Sequence, residues 1–421
     1  MTTHVGVSSR ELRFPAGIPL AGFAARDSYA TGSHDPLYAR AICVGDDRRE
    51  TLIVCADLTS LSPQQARRVR DAVTERTGLP SDAIAVSVTH THAAPSLDPN
   101  MTTDVAPAAV IEATLDALVE VGVQAWRDRA TATLGHLRGR SQLPKNRRRP
   151  DGPVDDSLDV IRVDSVDGDP VAVVFSLACH PTVIGPANTL FSADWPGFAR
   201  VAVETALPGV TAIFLQGCCG DCNAGHSAHA SMDLQLAVDG RTPEAARRFG
   251  EQIGSEVARL APLIVTDDQA VSVGAREFAW TWPDKDSAVL AEQAATAGAA
   301  AHPLHDLVGI WRERNDTTAD RVEEPLSVQL FVWGSVPLAL LSGENFAQLA
   351  LDIKSTVDDG LIVIGYANGV PGYAPYPRHE LERGGYEATE AHFVYGRRGP
   401  LPVQWSEFAL ATIDELYAAR P

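Results

Sequence analysis

Along this chain, short apolar runs rich in β-branched residues alternate with stretches whose apolar positions recur every three or four residues. The runs Ala41–Val44, Thr51–Ala56, Ile84–Val88, Val160–Val163, Val171–Leu177, Ala212–Leu215, Leu326–Val332, Leu338–Leu341 and Leu361–Gly365 predict buried strands. Helix signals lie between them. Ser62-Pro63 with Gln65 forms a capping box that opens a helix ending near Gly78. Thr242-Pro243-Glu244 opens another, running to Leu260. The stretch Ala106–Arg127 keeps helical spacing through Ile111, Leu115, Leu118, Val119 and Val123, with Gly122 as its weak point. The alternation predicts an α/β architecture with at least one largely parallel sheet covered by helices.

There is no internal repeat and no low-complexity linker, so residues 1–421 read as a single domain, although the length alone would allow two or three. Trp282–Glu324 is Ala-rich and then charged, and reads as a helical insertion placed to cover a site. Tyr366 to Pro402 is rich in Gly, Pro and Tyr, and a long irregular segment in a compact domain points to function.

Composition narrows the partners. The 35 Lys+Arg against 54 Asp+Glu give a formal charge of −19, and 45% apolar residues exclude disorder as the main theme. A balance this negative argues against nucleic acid or an anionic membrane surface. The basic run Arg147-Arg148-Arg149 after Lys145 is too short to overturn that. No run reaches the roughly 18 apolar residues of a membrane span, and the start lacks a basic n-region and an apolar h-region. Six cysteines, three crowded at Cys218, Cys219 and Cys222, suit a reducing compartment. The expectation is a cytoplasmic protein without stable membrane anchoring, acting on a small-molecule substrate, with a homo-oligomer left open.

The candidate chemistry sits just past predicted strands. Ile84–Val88 runs into Thr89-His90-Thr91-His92, Val171–Leu177 into Cys179-His180-Pro181, and Ala212–Leu215 into Gln216-Gly217 and Gly220-Asp221. Leu338–Leu341 leads to Gly343-Glu344, and Leu361–Gly365 to Tyr366 and a loop carrying Tyr373. In open α/β sheets ligands bind outside the carboxyl ends of strands. His90 and His92 flank one residue, so an extended backbone would turn both to one side, toward a metal or substrate. A hydrogen-bonded structural pair accounts for the spacing equally well. His180 alone reads as structural, Glu344 as an acid favoured at a helix N-terminus, and Asp194, two before Pro196, as a helix cap. Taken together, His90, His180 and Glu344 supply the two-His, one-carboxylate set of a catalytic zinc with an open position. Cys219-Gly220-Asp221-Cys222 matches C-x-x-C without a second pair, which favours a structural role. His226 and His229 read as a solvated loop rather than ligands.

These motifs resemble the catalytic domain of the neutral, non-lysosomal ceramidases and their bacterial relatives. The resemblance runs from Ala21-Gly22-Phe23 through Thr89-His90-Thr91-His92-Ala93-Ala94-Pro95, Asn146-Arg147, His180-Pro181-Thr182 and Ser192-Ala193-Asp194. It continues through Phe214-Leu215-Gln216-Gly217 with Gly220-Asp221, Gly343-Glu344, Asn368 to Tyr373, and Tyr386-Glu387. It implies mixed β-sheets flanked by helices, zinc (Zn2+) held by His90, His180, Glu344 and Tyr373, and a reaction centre lined by His92, Arg147 and Tyr386. Two departures stand out. Where the family's segment continues into Val-Ser-Pro, this chain has Cys222-Asn223-Ala224; an amide at Asn223 is no nucleophile but can donate to an oxyanion. The immunoglobulin-like C-terminal domain of the full-length enzymes is also missing before Pro421. The expectation is therefore a zinc-dependent hydrolase of a C–N amide bond in a small or lipid-like N-acyl molecule, with ceramide itself not carried over. An esterase or lactonase using the same site, a metal-holding binding protein, and a redox role for Cys219 and Cys222 are the rivals.

Overall fold

The computed structural model describes residues 2–26, 28–232 and 240–420. Eight strands form the larger sheet: β1 (His4–Leu12), β2 (Leu37–Gly45), β3 (Glu50–Ala56), β4 (Ile84–Val88), β5 (Ala130–Arg140), β6 (Ser157–Ser165), β7 (Pro170–Leu177) and β8 (Thr211–Gln216). Their spatial order is β8-β7-β6-β5-β1-β2-β3-β4. Four more strands form a second sheet in chain order: β9 (Val271–Thr281), β10 (Glu323–Trp333), β11 (Val336–Leu341) and β12 (Ile362–Ile364).

The expected largely parallel sheet is corrected here. Only the outermost pairs of the large sheet, β8 with β7 and β3 with β4, run parallel, and in the second sheet only β11 with β12 does. The other neighbours are antiparallel. The apolar runs misled because these strands are covered on both faces, which gives an antiparallel strand the continuous hydrophobicity expected of a parallel one. Strand β2 makes this plain. Ala39, Ala41 and Cys43 face one core, while Ile42 and Val44 face another.

The layers follow from that alternation. On one face of the large sheet, α1 (Pro63–Thr77) and α2 (Ala108–Arg127) pack over β2–β4, and α3 (Asp194–Ala206) and α4 (Pro243–Leu260) over β6–β8. The other face packs on the second sheet through Ile53, Val174, Ile213, Phe331, Trp333 and Leu338. The outer face of the second sheet lies under the helices Ala347–Thr356 and Val403–Ala418. The mixed α/β architecture flanked by helices is as the sequence implies. Helix α1 carries the expected capping box, with Gln65 N donating to Ser62 Oγ and Gly78 closing it at φ 78°.

The two sheets converge where the candidate chemistry sits. Isolated bridges join Ser87 to Ala367 and Gly217 to Ile364, so the ends of β4, β8 and β12 meet at one point. The stretch read as a helical insertion holds the helices Ala288–Ala297 and His305–Thr317. Leu290, Ala294, Val308 and Trp311 on these helices pack in one cluster with Tyr373, Phe393 and Tyr395.

Candidate metal centre

His90 follows β4, yet it does not continue the strand. Its φ of 65° is left-handed, which is uncommon for a residue with a side chain. The kink, not strand alternation, is what brings His90 and His92 together, with their Nε2 atoms 3.2 Å apart. Tyr366 (φ 56°) and Asn368 (φ 55°) share this conformation on the facing loop, and backbone strain of this kind clusters at functional sites. Gly22 makes room for the histidine: a Cβ there would lie 2.4 Å from His92 Cγ.

His180 arrives from the end of β7 and Glu344 from the end of β11. Glu344 is not at a helix N-terminus as read from sequence. With Asn345 it pairs in parallel with Tyr373-Ala374, and the next helix begins at Ala347. Glu344 Oε2 lies 3.3 Å from His90 Nε2 and 3.0 Å from His180 Nε2. All three side chains are essentially solvent-free, while His92 keeps 8% exposure at the edge of the group. His90, His92 and His180 offer nitrogen atoms within 4.8 Å of one another.

The donor chemistry fits a metal ion. His90 Nδ1–H donates to Thr59 O at 2.6 Å and His180 Nδ1–H to Cys219 O at 2.6 Å, so in each ring Nε2 is the nitrogen turned toward Glu344. Burial, then the neighbouring Arg147, depresses His180 to about 4, so it is neutral at pH 7. The neutral His180 thus turns its Nε2 lone pair on the Glu344 carboxylate at 3.0 Å with no proton between them, and His90 Nε2 lies 3.3 Å from the same oxygen; a cation between them would relieve the repulsion. For ligands about 2.0–2.1 Å from a tetrahedral zinc, adjacent donor atoms sit about 3.3–3.4 Å apart, close to these spacings. His92 differs: its Nδ1 has no hydrogen-bond partner among the described residues, and burial, with His90 and His180 nearby, keeps it neutral.

Tyr373 brings its ring parallel to His180, with centroids 6.3 Å apart, and its hydroxyl accepts from Arg147 Nη2 at 3.0 Å. Tyr386 sets its ring edge against Tyr373 at 6.0 Å. Burial raises both phenols well above their ordinary range, so both stay protonated. The basic run Arg147–Arg149 is no surface patch. Arg147 Nε donates to Glu387 Oε1 at 2.8 Å and Arg148 Nη1 to Glu387 Oε2 at 2.6 Å, while Arg148 and Arg149 both reach Glu380. Arg147 is placed by Asp221, whose carbonyl accepts from Arg147 N at 2.8 Å and whose carboxylate accepts from Asn146 Nδ2 and Ala347 N. Burial pushes Asp221 up to about 6.

Other candidates settle elsewhere. Asn223 Nδ2 donates to His226 O and its Oδ1 accepts from Gly225 N and His226 N, so the amide organises its own loop. Asp194 is not the cap expected: it lies inside the first turn at φ 54° and its carboxylate accepts from Ile184 N and Trp195 N, fixing the segment after His180. Burial raises it to about 7. All six cysteines are buried free thiols. Burial pushes Cys219 and Cys222 well above their ordinary range, which disfavours the thiolate a redox role needs. One neighbour of Glu344 went unread in the sequence: Tyr395, whose OH donates to its carboxylate; Tyr366, named at a strand end, donates to it too, and Cys219 Sγ sits 3.2 Å from Tyr366 OH. An isolated Tyr in a Gly-rich loop carries no signal of this.

No family model matches the chain. Among solved structures, the neutral ceramidase from Pseudomonas aeruginosa matches with a TM-score of 0.72 at 17% identity, covering 100% of this chain and 75% of that one. A ceramidase complexed with C2 matches at 0.73 and 16% identity, over 100% and 76%. The fold is that of the neutral ceramidases. Among the described residues, no helix is long and apolar enough to cross a membrane. Within the ceramidase fold, the strand ends supply the buried histidine and carboxylate group, and the loops after β12 supply the tyrosines around it.

Proposed function

We propose that this protein is a zinc-dependent hydrolase of amide bonds, with His90, His180, Glu344 and Tyr373 holding the metal. The observation that carries the reading is the convergence of His90 Nε2 and His180 Nε2 on Glu344 Oε2 at 3.3 and 3.0 Å, with both rings locked by their Nδ1–H bonds. The fold shared with ceramidases adds to it. Zinc bound there would polarise a substrate carbonyl and lower the pKa of water to about 7.

The residues around the group then divide the remaining work. His92 has the free Nδ1 and the partial exposure that the two locked histidines lack, so it accepts a proton and passes it to the leaving nitrogen. Arg147 stays charged and aims Nη2 at the Tyr373 hydroxyl, so with Tyr386 it stabilises negative charge developing on the carbonyl oxygen. The pocket of about 310 Å³ lined by Arg147, Arg148, His229, Arg383 and Tyr386 is the route by which substrate reaches that edge.

Metal analysis of the purified protein beside a His90→Ala variant tests this. One zinc per chain in the wild type and none in a folded variant is the expected result. A wild-type protein that neither contains nor takes up a divalent metal would overturn the reading and leave a protein that binds without catalysis.

A further inference from the structure

The two oxygens of Glu344 have different surroundings. Oε2 faces His90 Nε2 at 3.3 Å and His180 Nε2 at 3.0 Å, and accepts from the Tyr366 hydroxyl at 3.2 Å. Oε1 accepts from the Tyr395 hydroxyl, its one hydrogen-bond partner among the described residues. The oxygen on which both imidazoles converge is therefore the one placed to ligate a metal, and the other is tied back. Glu344 and Tyr395 are both buried, so water does not compete for that bond.

Tyr395 is gripped from outside the site. It follows the short helix Ala391–Val394, where Thr102 N donates to Val394 O at 2.9 Å and Thr102 Oγ1 donates to Phe393 O. Two residues further on, Arg397 O accepts from Trp311 Nε1 at 2.8 Å. The Arg397 guanidinium lies 2.8 Å from Glu324 Oε1 and 5.0 Å from the centroid of the Trp282 ring. Trp311 also meets the Phe393 ring edge-on at 4.9 Å. Trp282, Trp311 and Glu324 all belong to the stretch read from sequence as an insertion over the site. That stretch thus fixes the backbone on both sides of Tyr395. A tyrosine side chain has only two torsions, so its hydroxyl goes where the backbone puts it.

We infer that Tyr395 is a positioning residue for the metal: by occupying Oε1 it confines Glu344 to ligation through Oε2 and so preserves an open position on the ion. The inference rests on the zinc-hydrolase reading above. A carboxylate can bind a metal through one oxygen or both, and a catalytic zinc keeps a position free for water or substrate. A second oxygen from Glu344 would crowd that position. The bond from Tyr395 is charge-assisted and buried, which lets it compete with the ion for Oε1.

Cobalt(II) in place of zinc tests this, because its visible absorption weakens as the number of ligands rises. The full chain is loaded with cobalt as wild type, Tyr395→Phe and Tyr366→Phe. Tyr395→Phe keeps the ring and loses only the hydroxyl. It should hold one cobalt per chain and absorb more weakly than the wild type, because Oε1 joins the ion. With zinc, the same variant should keep its metal and lose about 10- to 100-fold in turnover, the usual scale for a group that orients a ligand. Tyr366→Phe, which loses a bond to Oε2 instead, should keep the wild-type absorption. An unchanged spectrum in Tyr395→Phe overturns the inference. So does an equal loss of intensity in Tyr366→Phe, which would mark a general loosening of the site. Loss of metal from folded Tyr395→Phe overturns it as well, since Tyr395 would then be a ligand itself. A crystal structure of the zinc-loaded wild type needs no variant. It should show Glu344 bound through Oε2 with Tyr395 on Oε1, and ligation through both oxygens refutes the inference. Failure of the metal reading is distinguishable: the wild type would take up neither cobalt nor zinc, and both readings would fall together.

Discussion

The floor of the site and its arginine wall are both buried and both charged, but they are balanced differently. In the wall, Glu387 lies between Arg147 and Arg148, and Glu380 between Arg148 and Arg149, so each carboxylate meets cations supplied by the chain. In the floor, Glu344 faces the Nε2 atoms of two histidines, and among the described residues its hydrogen-bond donors are the hydroxyls of Tyr366 and Tyr395. The wall is complete as folded and serves as scaffold. On the proposed reading, a cation from outside would complete the floor.

The same chemical change should therefore have different consequences on the two sides. The largest effect belongs to the wall. Glu387→Gln removes the charge that two buried guanidinium groups share, and breaking a buried pair by removing one partner costs about 3–5 kcal/mol. Urea unfolding should register a loss of that order whether or not metal is present. A loss below about 1 kcal/mol, the scale of an exposed pair, would mean that water reaches the wall and that the contrast is wrong.

Within the floor, His92 separates from its neighbours. His90 and His180 are held by carbonyls through Nδ1, and His92 is not. If His92 moves protons instead of holding metal, His92→Gln should keep its zinc and lose about 10²–10⁴ in turnover of an amide substrate. Metal content and kcat measured on one sample decide the matter. Loss of zinc along with activity would make His92 a ligand, a role its distance from His90 and His180 also permits.

Much of this was legible before the fold. The strand runs were readable because both faces of most strands are covered, and two of the three predicted helix caps, Ser62 and Thr242 but not Asp194, accept a main-chain N–H as expected. Strand β5 was missed because Gly135, Gly139, His136 and the arginines mask its pattern. Gly135 is there for a close backbone approach, since a Cβ would come within 2.0 Å of Val265 O. Strand direction was not legible at all, because a strand buried on both faces carries no mark of its neighbours' direction. Of the site, His90, His180 and Glu344 could be named from where strands end. The left-handed turn at His90, the pairing of Glu387 with Arg147 240 residues away, and the tyrosines that reach Glu344 from 22 and 51 residues away depend on the tertiary fold, and local sequence carries no trace of them.

The smallest expected effect puts the contrast to its hardest test, because it reverses the usual sign. Glu344→Gln removes a buried charge, as Glu387→Gln does. The amide N–H of the new side chain can donate to the lone pair of His90 or His180, while its carbonyl keeps one tyrosine hydroxyl. A repulsive contact becomes a hydrogen bond, worth about 0.5–1.5 kcal/mol. With metal stripped from both proteins, the variant should be as stable as the wild type or more stable by that amount. With zinc added, the order should invert, because only the wild type gains from a ligand that binds the folded state. Thermal unfolding with and without zinc measures both halves. If metal-free Glu344→Gln were less stable by several kcal/mol, the carboxylate would already have a protonated histidine as its partner. The floor would then be a second self-balanced ion-pair cluster like the wall, with no need of a metal.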